Sequence, residues 1–129
     1  MLGNYTIKTQ FSINEVCLKG EKIGLVNFTI NDNVMNLNLI MVYDKYKSQG
    51  HAISILKELF DKFDMVQIEG LGIADDGEFF WKKINAKMSD DYTYSGSGKY
   101  KLGRQFVLTK TDFLEYCCER ELRYEKIAN

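Results

Sequence analysis

The chain has 129 residues, 45% of them hydrophobic and 27% charged, with a formal net charge of −1. That balance predicts a single globular domain, residues 1–129, large enough for its own core. It gives no global attraction to nucleic acid or to an anionic membrane. No apolar stretch reaches transmembrane length, and the start MLGNYTIKTQ lacks the apolar centre of a signal peptide, so no membrane is expected and a cytoplasmic setting is. The cysteines, Cys17, Cys117 and Cys118, show no Cys-x-x-Cys spacing and no accompanying histidines. They read as reduced thiols, and no metal is expected.

Tyr5 to Ile13 alternates apolar and polar residues and reads as a strand. Asn14 reads as a turn, Glu15 to Lys19 as a short second strand, and Gly20 as a break before a strand from Lys22 to Ile30. Asn31-Asp32-Asn33 is a hairpin connection, since Asn and Asp tolerate left-handed backbone angles, and Val34 to Val42 returns as the next strand. Leu39 to Val42 is apolar without alternation, which predicts cover on both faces. Next comes a polar turn, Lys47 to Ala52, and a helix ending near Phe63. Ser48 is its expected N-cap, and Ala52, Ile53, Leu56, Leu59, Phe60 and Phe63 its buried face.

Met65 to Leu71 reads as a strand, with Gly70 and Gly72 marking a place where a ligand or backbone can approach. Asp75 or Asp76 caps an expected helix from Gly77 to Asn85, whose Phe79, Phe80 and Trp81 read as core. Asp90 to Gly103 is polar, glycine-rich and studded with tyrosines, and reads as a mobile loop or loose hairpin. Arg104 to Thr109 is the last strand. Thr111 is the expected cap of a C-terminal helix, with Asp112 in its first turn and Phe113, Leu114, Cys117, Cys118 and Leu122 buried. That apolar helix also offers a homodimer interface.

The stretch from Leu37 to Phe63 carries the chemistry. A strand passing through a glycine-bearing turn into a helix leaves first-turn N–H groups pointing outward, and the macrodipole adds partial positive charge. Gly50 lacks a Cβ, so a phosphate can approach the backbone, and Lys47 and His51 add donors. The residues point to a phosphate-binding strand–turn–helix.

Lys47-x-x-Gly50-x-Ala52 resembles the acyl-CoA motif of the GNAT superfamily of N-acyltransferases: Gln or Arg, two residues, Gly, one residue, then Gly or Ala. Glu78-Phe79-Phe80-Trp81-Lys82-Lys83-Ile84-Asn85-Ala86 is similar to that family's Phe-Tyr-x-Lys-Leu-Gly-Phe helix end. The resemblance implies an α/β (α+β) fold with a mixed, mostly antiparallel sheet splayed at the cofactor site and helices on both faces. It implies an acetyl-CoA co-substrate. Met41 and Val42 would lie along the pantetheine, while Lys47, Ser48, Gln49, Gly50, His51 and Ala52 would hold the diphosphate.

Three departures accompany it. The first forty or so residues show only strand patterns where the family has two helices. The tyrosine that often protonates the departing thiolate falls on Trp81, whose indole is no general acid. The family's frequent Asn after the fifth strand falls near Ala74. A proton must still leave the attacking amine, and Glu69 is the favoured group for it, ahead of Asp75, Asp76, Tyr43 and Tyr46.

The leading expectation is therefore an N-acetyltransferase whose partners are acetyl-CoA and an amine acceptor, small molecule or protein. The alternative is a catalytically degenerate GNAT-like module that binds a macromolecular partner. Lys99, Lys101 and Arg104 are the sole hint of a nucleic-acid contact and read as a solvated loop.

Overall fold

The computed structural model describes residues 5–10 and 13–128; the side chains of 1–6, 8–13, 73–76 and 121–129 lie outside the description. The expected burial of Leu122 falls there. The chain falls into two compact units, Met1–Met65 and Val66–Asn129.

The first unit is an antiparallel meander of β1 (Tyr5–Gln10), β2 (Ile13–Leu18), β3 (Glu21–Asn31) and β4 (Val34–Val42), followed by a 3-10 turn, Asp44–Tyr46, and helix α1 (His51–Lys62). Asn14 is not a turn. It pairs with Val26 inside β2 and is 7% exposed. Lys19 (φ 53) and Gly20 (φ 83) form the next tight turn in the left-handed region that two-residue hairpins favour. Asp32 (φ 55) serves the hairpin joining β3 to β4, where it was expected.

The end of β4 is not covered on both faces. Phe28 pairs with Leu37 but Asn27 pairs with Leu39, leaving Asn38 as an extra residue in β4. A one-residue slip exchanges the faces of a strand. Met35 and Leu37, before the bulge, are buried; Leu39 and Met41, after it, are each 37% exposed.

Helix α1 packs against β4. Its buried residues are Ile55, Leu56, Leu59 and Phe60, with Ala52, Ile53 and Phe63 only partly covered. Each fully buried side chain of this kind contributes roughly 1.5–3 kcal/mol. Phe63 meets Phe28 edge-on at 5.2 Å. The helix closes with Asp64 in the left-handed region and the Met65 N–H donating to the Phe60 carbonyl at 3.0 Å, a Schellman end.

The second unit holds β5 (Gln67–Ile73), α2 (Ala74–Lys83), β6 (Lys87–Tyr94), β7 (Lys101–Thr109) and α3 (Lys110–Ala128). Strand β7 lies between β5 and β6 and is antiparallel to both. Helix α2 starts at Ala74, so Asp75 and Asp76 fall in its first turn rather than at its cap. Trp81 is 5% exposed and stacks on Phe106, centroids 3.7 Å apart and rings 9° from parallel, so it is core as expected. Phe79 is not core; it is 72% exposed. Asn85 (φ 74) stands where the resembling family has glycine, and a second Schellman end forms there: Asn85 N–H to the Lys82 carbonyl, 3.1 Å, and Ala86 N–H to the Trp81 carbonyl, 3.0 Å.

Residues 90–103, expected as a mobile loop or loose hairpin, form a hairpin. Strands β6 and β7 include most of it, with a bulge at Ser89–Asp91, and Ser95 N–H donates to the Tyr100 carbonyl at 2.8 Å across the tip. The cap of α3 is Thr109, not Thr111: its Oγ1 accepts the Asp112 N–H at 3.1 Å. Phe113 and Tyr116 face inward, while Leu114 (44% exposed) and Cys118 face out, contrary to the expected burial.

Candidate functional site

Strand β4 delivers the chain directly into the candidate turn. The Tyr43 N–H donates to the Ile23 carbonyl at 2.8 Å, anchoring the exit of β4 to β3. The 3-10 turn then reverses the chain, with Tyr46 N–H on the Tyr43 carbonyl (2.8 Å) and Lys47 N–H on the Asp44 carbonyl (3.3 Å). Lys47 is extended (φ −66, ψ 157), and Ser48 (φ 64) and Gly50 (φ 79) then both adopt left-handed backbone angles ahead of α1.

Gly50, not Ser48, is the N-cap of α1, and no side chain caps it. The first rung of the helix is Ser54 N–H to the Gly50 carbonyl at 3.2 Å, an acceptor the Ser54 hydroxyl shares at 3.2 Å. The N–H groups of Ala52 and Ile53 precede that rung and lie outside the helix's own ladder. The structure thus brings Lys47 through Ala52 together in one turn, with Met41 and Val42 in the last rungs of the strand that feeds it.

The turn's side chains support one another. Lys47 Nζ is 3.0 Å from Asp44 Oδ1, but the two are 60% and 95% exposed, so the pair is worth about 0–1 kcal/mol and leaves the ammonium available. His51 Nε2 lies 3.2 Å from Gln49 Oε1, and the Tyr46 ring meets the imidazole edge-on at 6.3 Å. The Tyr46 hydroxyl is hydrogen-bonded to Glu21, which raises its pKa above the ordinary 10.0. On the neighbouring strands, Glu15 holds Lys22 at 3.1 Å and raises the lysine above its ordinary 10.5. Asp44 is a partner of Lys47 that sequence reasoning missed, although the Asp44–Lys47 spacing, three residues, was legible.

These residues fit a diphosphate. The turn offers an ammonium, an amide, an imidazole, a hydroxyl and first-turn N–H groups around a residue without Cβ. Its one carboxylate, Asp44, is directed at Lys47.

In the second unit, Glu69 stands on β5 opposite Val107 and accepts the Gln67 side-chain amide at 2.9 Å. Gly72 is buried, and a Cβ there would meet Met88 Cε at 3.3 Å, the Arg104 carbonyl oxygen at 3.4 Å and Trp81 Cδ1 at 3.5 Å, so another backbone approaches at this glycine, as expected. Arg104 is not part of a solvated basic loop. Its Nε is 3.1 Å from Glu78 Oε1, with both side chains largely covered. That contact is close without being aligned as a hydrogen bond, since the Nε is buried and lacks a hydrogen-bond partner. Among the described residues no cluster of histidine, cysteine and acidic side chains is gathered as for a metal ion, and no helix is long and apolar enough to cross a membrane.

No family model matches the sequence, and no curated protein matches it. Solved structures do. A GNAT-family acetyltransferase from Bacillus anthracis is similar over 78% of this chain and 67% of its own, at 14% identity and a TM-score of 0.56. A spermidine N-acetyltransferase from Vibrio cholerae aligns over 81% and 69%, at 14% identity and a TM-score of 0.60. A GNAT-family acetyltransferase from Elizabethkingia anophelis with acetyl-CoA bound aligns over 75% and 73%, at 14% identity and a TM-score of 0.51. At such identities the likeness is one of fold. The chain has a GNAT-like α/β fold.

Proposed function

We propose that the protein is an N-acetyltransferase that moves an acetyl group from acetyl-CoA to an amine acceptor in the cytoplasm. The observation that carries this reading is the turn from Lys47 to Ala52, left-handed at Ser48 and Gly50 and leading into α1, in a chain of GNAT-like fold. Acetyl-CoA, when bound, supplies the acetyl group as a thioester. Lys47, Ser48, Gln49, Gly50, His51 and Ala52 hold its diphosphate, and the backbone of Met41 and Val42 runs beside the pantetheine. An amine acceptor arrives mostly protonated, since a lysine-like ammonium has a pKa of about 10.4, and must lose that proton before its lone pair can attack. Glu69 takes the proton through water. The buried Trp81 indole supplies no acidic proton, so the departing sulfur draws its proton from solvent.

Isothermal titration with acetyl-CoA and with free CoA tests the reading, followed by turnover against a panel of polyamines, amino acids and peptides. Binding of both thiol forms with turnover of one acceptor class supports it. No binding to the folded protein refutes it.

A second reading, a GNAT-like module that binds a macromolecule without catalysis, draws support from Trp81 at the tyrosine position. It also draws on the direct antiparallel pairing of β1 with β2, where Gln10 lies opposite Ile13. On that reading CoA binds without turnover of any acceptor.

A further inference from the structure

The β6–β7 hairpin carries a feature that the acetyltransferase reading leaves unused. On one face of it, rings and cations alternate. Tyr92 lies opposite Arg104 and Tyr94 opposite Lys101, and directly paired residues share a face. Lys101 Nζ sits 4.1 Å from the Tyr92 ring centroid and the Arg104 guanidinium carbon 4.8 Å from the same centroid. Arg104 is turned toward Glu78 on α2 and reaches the Tyr92 hydroxyl through Nη2 at 3.4 Å, so it fixes the ring rather than facing outward. Past Glu78 the face is open: Lys101 is exposed and Tyr94 is 56% exposed.

The tip adds Tyr100, 67% exposed, and exposed Lys99. It is pre-shaped by bonds among Ser95, Ser97, Gly98 and Tyr100: the Gly98 N–H on the Ser95 carbonyl at 2.8 Å and the Tyr100 N–H on Ser95 Oγ at 3.2 Å. Along β6, Tyr92 and Tyr94 stand about 7 Å apart on the same face. Strand β6 is an edge strand beside β7, and Asp90 and Asp91 at its bulge are exposed. Charge and a bulge at an edge oppose the addition of another strand, so the edge is closed to β-pairing while the face is left free.

We propose that this hairpin binds single-stranded nucleic acid, with Tyr94 on the face and Tyr100 at the tip stacking on bases, Lys99 and Lys101 contacting phosphates, and Arg104 holding Tyr92 in place. Exposed rings interleaved with cations suit a partner that is both planar and anionic. A base offers a π-face to any tyrosine whatever its sequence, and the adjacent phosphate meets the lysine. An acidic peptide would satisfy the lysines alone. The chain's overall charge of −1 does not oppose this, because exposed lysines at a hairpin tip act over about a Debye length, roughly 10 Å. The proposal is independent of acetyl transfer and stands or falls separately from it.

The test is fluorescence anisotropy of a labelled oligouridylate titrated with the full chain. Two phosphate contacts predict a log–log salt slope of about −1.4, or about sevenfold weaker binding between 50 and 200 mM salt. Tyr94→Ala and Tyr100→Ala each weaken binding about tenfold, Tyr94→Phe retains it, and Lys101→Ala cuts the slope by about 0.7. Circular dichroism of each variant confirms that it is folded. The proposal is overturned by absence of binding at low salt, by equal binding of a polyglutamate peptide or of duplex, or by affinity that survives both alanine substitutions. Self-association of the chain through this face, read by sedimentation and lost in Tyr94→Ala, would also overturn it.

Discussion

Gly24 sets how closely β3 and β4 approach at the mouth of the candidate site. It lies opposite Val42, and a Cβ built on it would collide with the backbone carbonyl oxygen of Met41, with the Val42 Cα only 3.1 Å away. Neither obstacle is a side chain that can rotate aside, so Gly24→Ala must push the strands apart. Overpacking of this kind costs about 1–3 kcal/mol. Separation also weakens neighbouring hydrogen bonds, among them Tyr43 N–H to the Ile23 carbonyl at 2.8 Å, at about 1 kcal/mol each.

The expected destabilisation is therefore about 2–5 kcal/mol, which is a large part of the stability of an ordinary domain. Urea unfolding followed by circular dichroism reads this as a midpoint lower by about 1–3 M at unchanged slope. Two glycines with nothing within 4 Å of a built Cβ serve as references. Gly96→Ala should stay within about 0.5 kcal/mol of wild type, and Gly20→Ala, at φ +83, should lose about 1–2 kcal/mol to left-handed strain alone. A Gly24→Ala protein as stable as Gly96→Ala would refute the argument from close approach.

Gly50→Glu combines about 1–2 kcal/mol of left-handed strain with about 0.3–1 kcal/mol of favourable helix-dipole interaction, so the variant stays folded. On the proposed reading it loses acetyl-CoA binding by calorimetry; unchanged affinity would remove the diphosphate from this turn. Thr109→Ala should cost about 1 kcal/mol in thermal unfolding while Thr111→Ala costs less than about 0.5, and the reverse order would restore Thr111 as the cap. Tyr46 is bonded to Glu21 in its neutral form, so the stabilisation from that bond is complete below pH 10.0 and is lost as pH rises through the higher folded value. Ultraviolet titration should show one late-ionising tyrosine that returns to the ordinary range in Glu21→Gln. The single-domain expectation predicts one urea transition shared by circular dichroism and Trp81 fluorescence; two separated transitions would reject it.

How much of this was legible depended on whether a residue's role is set by its neighbours in sequence or across a sheet. The hairpin at Asp32-Asn33 and the bounds of β4 follow from local turn chemistry, and α1 from its period. The glycine-bearing turn before α1 was legible too, although Gly50 rather than Ser48 is the N-cap. What failed was decided by pairing. Nothing in the composition of Leu37 to Val42 marks Asn38 as the residue that β3 leaves unpaired, yet that single insertion moves Leu39 and Met41 to the other face.

Asn14 misled in the same way: asparagine favours turns in isolation, but its partner Val26 holds it inside β2. In α3 the error was one of phase. Starting the helix at Lys110 with Thr109 as cap places Phe113 and Tyr116 inward and Leu114 and Cys118 outward, a pattern that an apolar count cannot choose. The pairing of Tyr92 and Tyr94 with Arg104 and Lys101 escaped for the strongest form of this reason. Read along the chain, 90–103 is a polar, glycine-rich run. Only the register of β6 on β7 lays Tyr92 beside Arg104 and Tyr94 beside Lys101, and so turns a loop composition into a ladder of rings and cations.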